Sequence, residues 1–162
     1  MTCNVHAGIL LRMQTFLPVP DWAESARYLD MRRLGKQRVE CKQILHALGV
    51  PVGGALPARR GWQNHPATLM WRGHEYALCA YAIAICCEWR ARGYKDSLLP
   101  QFQAAQALLS CSGPPPWLGD VEFHAAHRSN LLRKDPVYYA QFGWVEPDTL
   151  PYVWPRSAAA NS

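Results

Sequence analysis

The chain has 162 residues, a length that suits one domain. Hydrophobic residues make up 49% and charged residues 18%, which supports a packed core and excludes a disordered chain. The balance of 17 Lys and Arg against 12 Asp and Glu gives +5, a modest basic excess that fits a polyanionic partner.

Pro and Gly divide the chain into helical blocks. Asp21-Trp22-Ala23-Glu24, after Pro18-Val19-Pro20, reads as a capping box and predicts a short helix to about Asp30. A second helix is expected from about Met31 to Leu48, stopped by Gly49 and Pro51. Its Leu34, Cys41, Leu45 and Leu48 fall on one core-facing stripe. Val50–Gly61 reads as a loop. Asn64-His65-Pro66 then opens a helix, with Pro66 in its first turn. The block from about His74 to Arg92 is apolar nearly all round and is expected to be the most buried helix, ended by Gly93. Leu99–Leu109 and Asp120–Arg133 predict two more helices, the last ended by Asp135-Pro136. The tail with Tyr138, Tyr139, Phe142, Trp144, Tyr152 and Trp154 is aromatic and Pro-rich and is expected to wrap the surface. No segment alternates with period two. The expected class is all-α: a single compact helical domain over residues 13–155 with an aromatic tail, and a disordered end at 156–162.

The six Cys form no C-x-x-C pair, and three of them sit in apolar helical patterns, so reduced thiols and a cytoplasmic setting are expected. The longest uncharged apolar run, Ala77–Cys87, is too short to span a bilayer. Met1–Arg12 lacks a basic start and a clear cleavage site and is not read as a signal peptide.

Three constellations carry possible chemistry. The segment Arg27–Lys42 holds six basic residues against Asp30 and Glu40. Arg32, Arg33, Lys36 and Arg38 can neutralise phosphates. Glu40 lies beside Arg33 and Gln37 on the helical wheel, at the rim of the apolar stripe, and suits a general acid/base or the stabilisation of a developing cation. The plain alternative is a solvated face with a Lys36–Glu40 pair. The second constellation is Gly61-Trp62-Gln63-Asn64-His65-Pro66 with the following Arg72, either a phosphate-facing turn or a simple cap. The third runs from His124 and His127 through Arg128, Arg133 and Lys134, suited to a nucleic-acid backbone or to a solvated helix end. Metal binding by the two His lacks a third ligand at a recognised spacing.

Tyr28-Leu29-Asp30, Leu34, Glu40, Gly61-Trp62-Gln63-Asn64-His65-Pro66 and Arg92-Gly93-Tyr94, in this order, resemble the pyrimidine-dimer DNA glycosylase family of the endonuclease V type. The resemblance spans about Met13 to Tyr94. The tail from His124 to Trp154 is similar to a bacterial subgroup whose members start Met-Gln-Thr-Phe, the residues found here from Met13.

The resemblance implies a DNA repair enzyme: a glycosylase with abasic-site lyase activity on damaged duplex DNA, acting as a monomer without metal or organic cofactor. A terminal α-amine attacks C1′ and forms an imine, and a Glu, here Glu40, assists. The family-like block starts at Met13, so residues 1–12 are read as an extension or a misassigned start, and Met13 as the source of the amine. Thr2 and Lys36 are the alternative amines. The position before the catalytic Glu is commonly Arg in the family and is Val39 here, with Arg38 one further back, which leaves the lesion open. Trp62, Tyr94 and Trp144 are candidates for a wedge into the duplex. The expected DNA contacts are Arg32, Arg33, Arg38, Asn64, His65, Arg72, His124, His127, Arg128, Arg133 and Lys134. The alternative function is a non-catalytic helical nucleic-acid-binding protein.

Overall fold

The computed structural model describes residues 13–155, so the expectations on residues 1–12 and 156–162, Thr2 among them, lie outside the described residues. Within 13–155 the chain is all-α, with no strand. Its helices are α1 (Trp22–Tyr28), α2 (Met31–Ala47), α3 (Pro66–Trp71), α4 (Glu75–Ala91), α5 (Leu99–Ala107), α6 (Val121–Lys134) and α7 (Pro136–Tyr139), followed by a 3-10 turn at Ala140–Phe142. Among these residues no helix is long and apolar enough to cross a membrane.

Local chemistry sets most boundaries. Asp21 caps α1 by accepting from the Glu24 N–H at 2.7 Å. Asp30 does not end α1; it caps α2, accepting from the Arg33 N–H at 3.3 Å. Asp120 caps α6 in the same way. Asp135 ends α6 and also caps α7, a short helix that the sequence reading folded into the tail.

Helix α4 is the hub, as its composition predicts. It packs against α1, α2 and α5, and Leu78, Tyr81, Ala82 and Ile85 are fully buried. Helix α2 lies close to it because Gly35 leaves room for the Trp89 ring; a Cβ there would stand 2.9 Å from the ring carbons. Arg92, at the end of α4, donates to the carbonyls of Leu29 (2.8 Å) and Arg27 (3.1 Å) and so satisfies the end of α1. Gly93 turns the chain at φ +91°, and Tyr94 stacks on Trp89 at 4.3 Å.

The segment Met13–Leu17 belongs to no regular element, yet all five residues are buried. Its polar backbone groups are met by side chains from distant elements. Phe16 N–H donates to Gln37 Oε1 at 3.1 Å, and Leu17 N–H to His127 Nδ1 at 2.8 Å. The Tyr152 hydroxyl donates to Thr15 O at 3.2 Å, and Trp71 Nε1–H to Thr15 Oγ1 at 3.1 Å. The segment is thereby fixed between α2, α4 and α6.

Candidate active site

Glu40 sits on the face of α2 that meets this segment. Lys36 and Gln37 precede it by four and three residues, which brings all three side chains to one side of the helix. The Glu40 side chain is only 5% exposed. Its carboxylate accepts from Gln37 Nε2 at 2.6 Å and lies 3.4 Å from Lys36 Nζ. Gln14 lines the same cavity, and its backbone amide favours the ionised carboxyl.

Together these residues line a cavity of about 220 Å³. Gln14 and Phe16 form one wall, Arg32 and Arg33 with the Glu40 face of α2 the other, and Lys134 enters from α6. Burial pushes the Glu40 carboxyl up to about 7, and the nearby Lys36, the Gln14 N–H and Lys134 only partly offset it. A carboxyl in that range is present in both protonation states near neutrality, which suits proton transfer. Lys134 is held below the usual lysine range by burial and by the neighbouring cations Arg33, Lys36 and Arg133. Gln14 Oε1 is buried and has no hydrogen-bond partner among the described residues.

The structure thus brings Glu40, Lys36, Arg32, Arg33 and Lys134 into one place, with Met13 one residue from the Gln14 N–H. Gln14, Gln37 and Tyr81 join them and were not singled out in the sequence. The three-residue spacing of Gln37 and Glu40 was the available sign of one of them.

Other candidates lie elsewhere. Arg38 points away from the cavity: it pairs with Asp96 and lies over the Trp89 ring at 5.1 Å. Arg128 is clasped by Glu146 and donates to Pro18 O at 2.7 Å. Arg133 donates to Asp148 O at 2.9 Å and ties the tail back to α6.

His124 and His127 are interior residues, 3% and 0% exposed. His124 Nε2 accepts from the Gly119 N–H at 2.9 Å, so Nδ1 carries the proton and donates to Leu17 O at 2.8 Å. His127 accepts from Leu17 N–H, and its Nε2 has no partner among the described residues. Burial drives His127 down to about 3, and burial followed by the Arg128 charge lowers His124. Both rings are therefore neutral and serve to anchor the segment. Among the described residues no group of three His, Cys, Asp or Glu could hold a metal ion.

Asn64, His65 and Arg72 form a separate place. His65 is buried and caps α3, accepting from the Ala67 N–H at 3.0 Å. Asn64 is exposed, and Arg72 donates to Gln63 O at 3.2 Å. Arg60, Trp62, Gln63, Asn64 and His65 line a second, more open depression of about 490 Å³. Trp62 adopts φ +63°, a left-handed conformation that is costly for a bulky residue. Of the other wedge candidates, Tyr94 is stacked on Trp89, and Trp144 packs in a cluster with Tyr28, Tyr139 and Phe142.

Fold and site define an all-helical protein that holds one buried carboxyl under a rim of cations. The family model for pyrimidine dimer DNA glycosylase matches residues 13–99, more than half the chain. The chain belongs to this family. The matched stretch covers α1 through the start of α5, including Gln37 and Glu40; α6 and the tail fall outside it. No curated protein and no solved structure matches the chain.

Proposed function

We propose that this protein is a DNA glycosylase with abasic-site lyase activity on damaged duplex DNA, with pyrimidine dimers as the leading substrate, and that Glu40 assists an α-amine at Met13. One observation carries the reading. Gln37 Nε2 donates both to Gln14 O and to the buried Glu40 carboxyl, each at 2.6 Å, so a chain that starts at Met13 presents its amine beside that carboxyl. An α-amine titrates near 7.7–8.0, far below an ordinary lysine, and is partly unprotonated at neutral pH. That amine attacks C1′ of the damaged nucleotide. The glycosidic C–N bond breaks, the base leaves with a proton, and opening of the sugar leaves an imine on C1′. Loss of a C2′ proton then expels the 3′ phosphate by β-elimination. Glu40 as carboxylate stabilises the positive charge on the sugar and moves protons. Arg32, Arg33, Lys36 and Lys134 face the phosphates around it. The scheme needs neither metal nor organic cofactor.

A second reading keeps the chemistry and changes the amine. Lys36 Nζ is 3.4 Å from Glu40 and is an amine within reach of the same carboxyl. Borohydride trapping on ultraviolet-irradiated and on abasic duplex DNA tests both, using chains that start at Met1 and at Met13. An adduct mapped to Met13, formed by the shorter chain only, is the expected result. An adduct on Lys36 from both chains transfers the role to that residue. No adduct from either chain overturns the lyase reading and leaves a nucleic-acid-binding protein, whose salt-sensitive binding would be insensitive to Glu40→Gln.

A further inference from the structure

We propose that Gln37 is a positioning residue for Glu40: its one amide locks the carboxyl to the backbone of Gln14–Phe16, so that the acid/base group and the reacting amine are held as a unit. The inference rests on the lyase reading for its consequence in catalysis.

The hydrogen-bonding capacity of Gln37 is fully used. Nε2 donates to Gln14 O and to Glu40, both at 2.6 Å. Oε1 accepts from Phe16 N–H at 3.1 Å and lies 2.7 Å from the Tyr81 hydroxyl, which is 2.8 Å from Phe16 O. Phe16 N–H can only donate, so Oε1 must face it. The amide cannot be turned round, and two N–H groups must then point at Gln14 O and Glu40. Gln37 is fully buried, in contact with a segment that itself belongs to no regular element. Holding that segment needs only the bonds to Gln14 and Phe16. The fourth bond, to Glu40, serves the carboxyl and favours its ionised form.

Several other groups face Glu40. Lys36 shares its helix and Lys134 comes from α6, and both favour the ionised form. Arg32 and Arg33 line the same cavity. Tyr81 from α4 and Tyr152 from the tail are neutral hydroxyls whose own ionisation is opposed by burial and by Glu40. Among the described residues, Gln37 is the one side-chain amide that donates to this carboxyl.

Gln37→Leu keeps the size of the side chain and removes the donor. The experiment follows the carboxyl carbon of labelled Glu40 by NMR in DNA-free protein, alongside the pH profile of borohydride trapping. The Glu40 midpoint is expected to move up by about one pH unit, the worth of a hydrogen bond to a charged group. The acid limb of trapping should move up with it. A folded Gln37→Leu protein with an unmoved Glu40 midpoint overturns the proposal, as does a loss of trapping with an unchanged pH profile. If Gln37→Leu does not fold, Tyr81→Phe carries the test, because it removes the hydroxyl that lies 2.7 Å from Oε1 and 2.8 Å from Phe16 O and so loosens the amide. A smaller upward move is expected there, and no move overturns the proposal. If the wild-type protein gives no adduct, the lyase reading fails, while the Glu40 titration still decides what Gln37 does to the carboxyl.

Discussion

The two ends of the segment Met13–Leu17 meet ionisable groups in opposite ways. At one end the Glu40 carboxyl is buried among cations, and burial raises it to about 7. At the other end His127 is fully buried against Phe123 and Tyr152, and burial lowers it to about 3. The physical cause is the same, a penalty on the charged form. The outcomes differ because one group is an acid and the other a base. The first is poised within the working range of a cell, and the second is removed from it. The first end opens into a cavity of about 220 Å³. A buried titratable residue therefore marks a site here only where space and opposite charge accompany it.

Removing the poised group is the strongest way to break this contrast. Glu40→Gln should lower trapping of damaged DNA by ~100-fold or more, the range for a general acid/base group. Circular dichroism should show the helical content unchanged. The matching change at the other end, His127→Ala, should act on stability. It leaves the buried Leu17 N–H without an acceptor and opens a void, at a cost of about 3 kcal/mol in denaturant unfolding. Trapping by the folded fraction at low temperature should stay within about tenfold of wild type, since the hydrogen bond of His127 goes to Leu17 and its ring meets Phe123 and Tyr152, none of which lines the cavity.

A pH series on stability sharpens the comparison. Glu40 has a folded-state value above its ordinary 4.5, so its contribution is fully present below about 4.5 and is lost as pH rises through about 7. Glu40→Gln should therefore stabilise the protein by about 1–3 kcal/mol at pH 8, and the gain should vanish near pH 4. His127 has a folded-state value below its ordinary 6.5, so its contribution is present above 6.5 and is lost as pH falls toward about 3. Between pH 4.5 and 6.5 the two oppose each other, and His124, also lowered by burial, adds to the His127 side, so wild-type stability should rise gently with pH there and more steeply in Glu40→Gln. The smallest expected effect is at the rim. Lys134→Met should weaken DNA binding by several-fold and reduce the slope of log affinity against log salt by about one, as for one lost phosphate contact.

The sequence made the helices legible because their signals are local. Asp21 and Asp120 cap helices within three residues of themselves, and the apolar block before Arg92 reads as a core helix without reference to anything else. Asp30 was harder, because the same Asp follows one helix and caps the next. Glu40 stood out as an acid in a basic strip beside an apolar stripe, and both features belong to one helix. The remainder of the site depends on pairings across the chain. Arg38 looks like a free cation until Asp96 is folded against it, and Arg128 until Glu146 is. His124 and His127 read as a surface pair until Leu17, more than 100 residues earlier, is placed beneath them. Gln37 and Tyr81 acquire a task only once Gln14–Phe16 lies between α2 and α4.

The separation of those partners has a consequence for synthesis. Thr15 is held by Tyr152, 137 positions later, and Leu17 by His127, 110 positions later. On the ribosome, α2 and α4 emerge long before either partner exists. The nascent chain can therefore dock its helices while the first segment stays unpinned and the cavity unformed. Closing so long a loop is a slow step compared with pairing neighbouring helices. The segment beside Glu40 is pinned only once the aromatic tail has emerged, and a ribosome stalled before Tyr152 would display a chain with Thr15 O unheld.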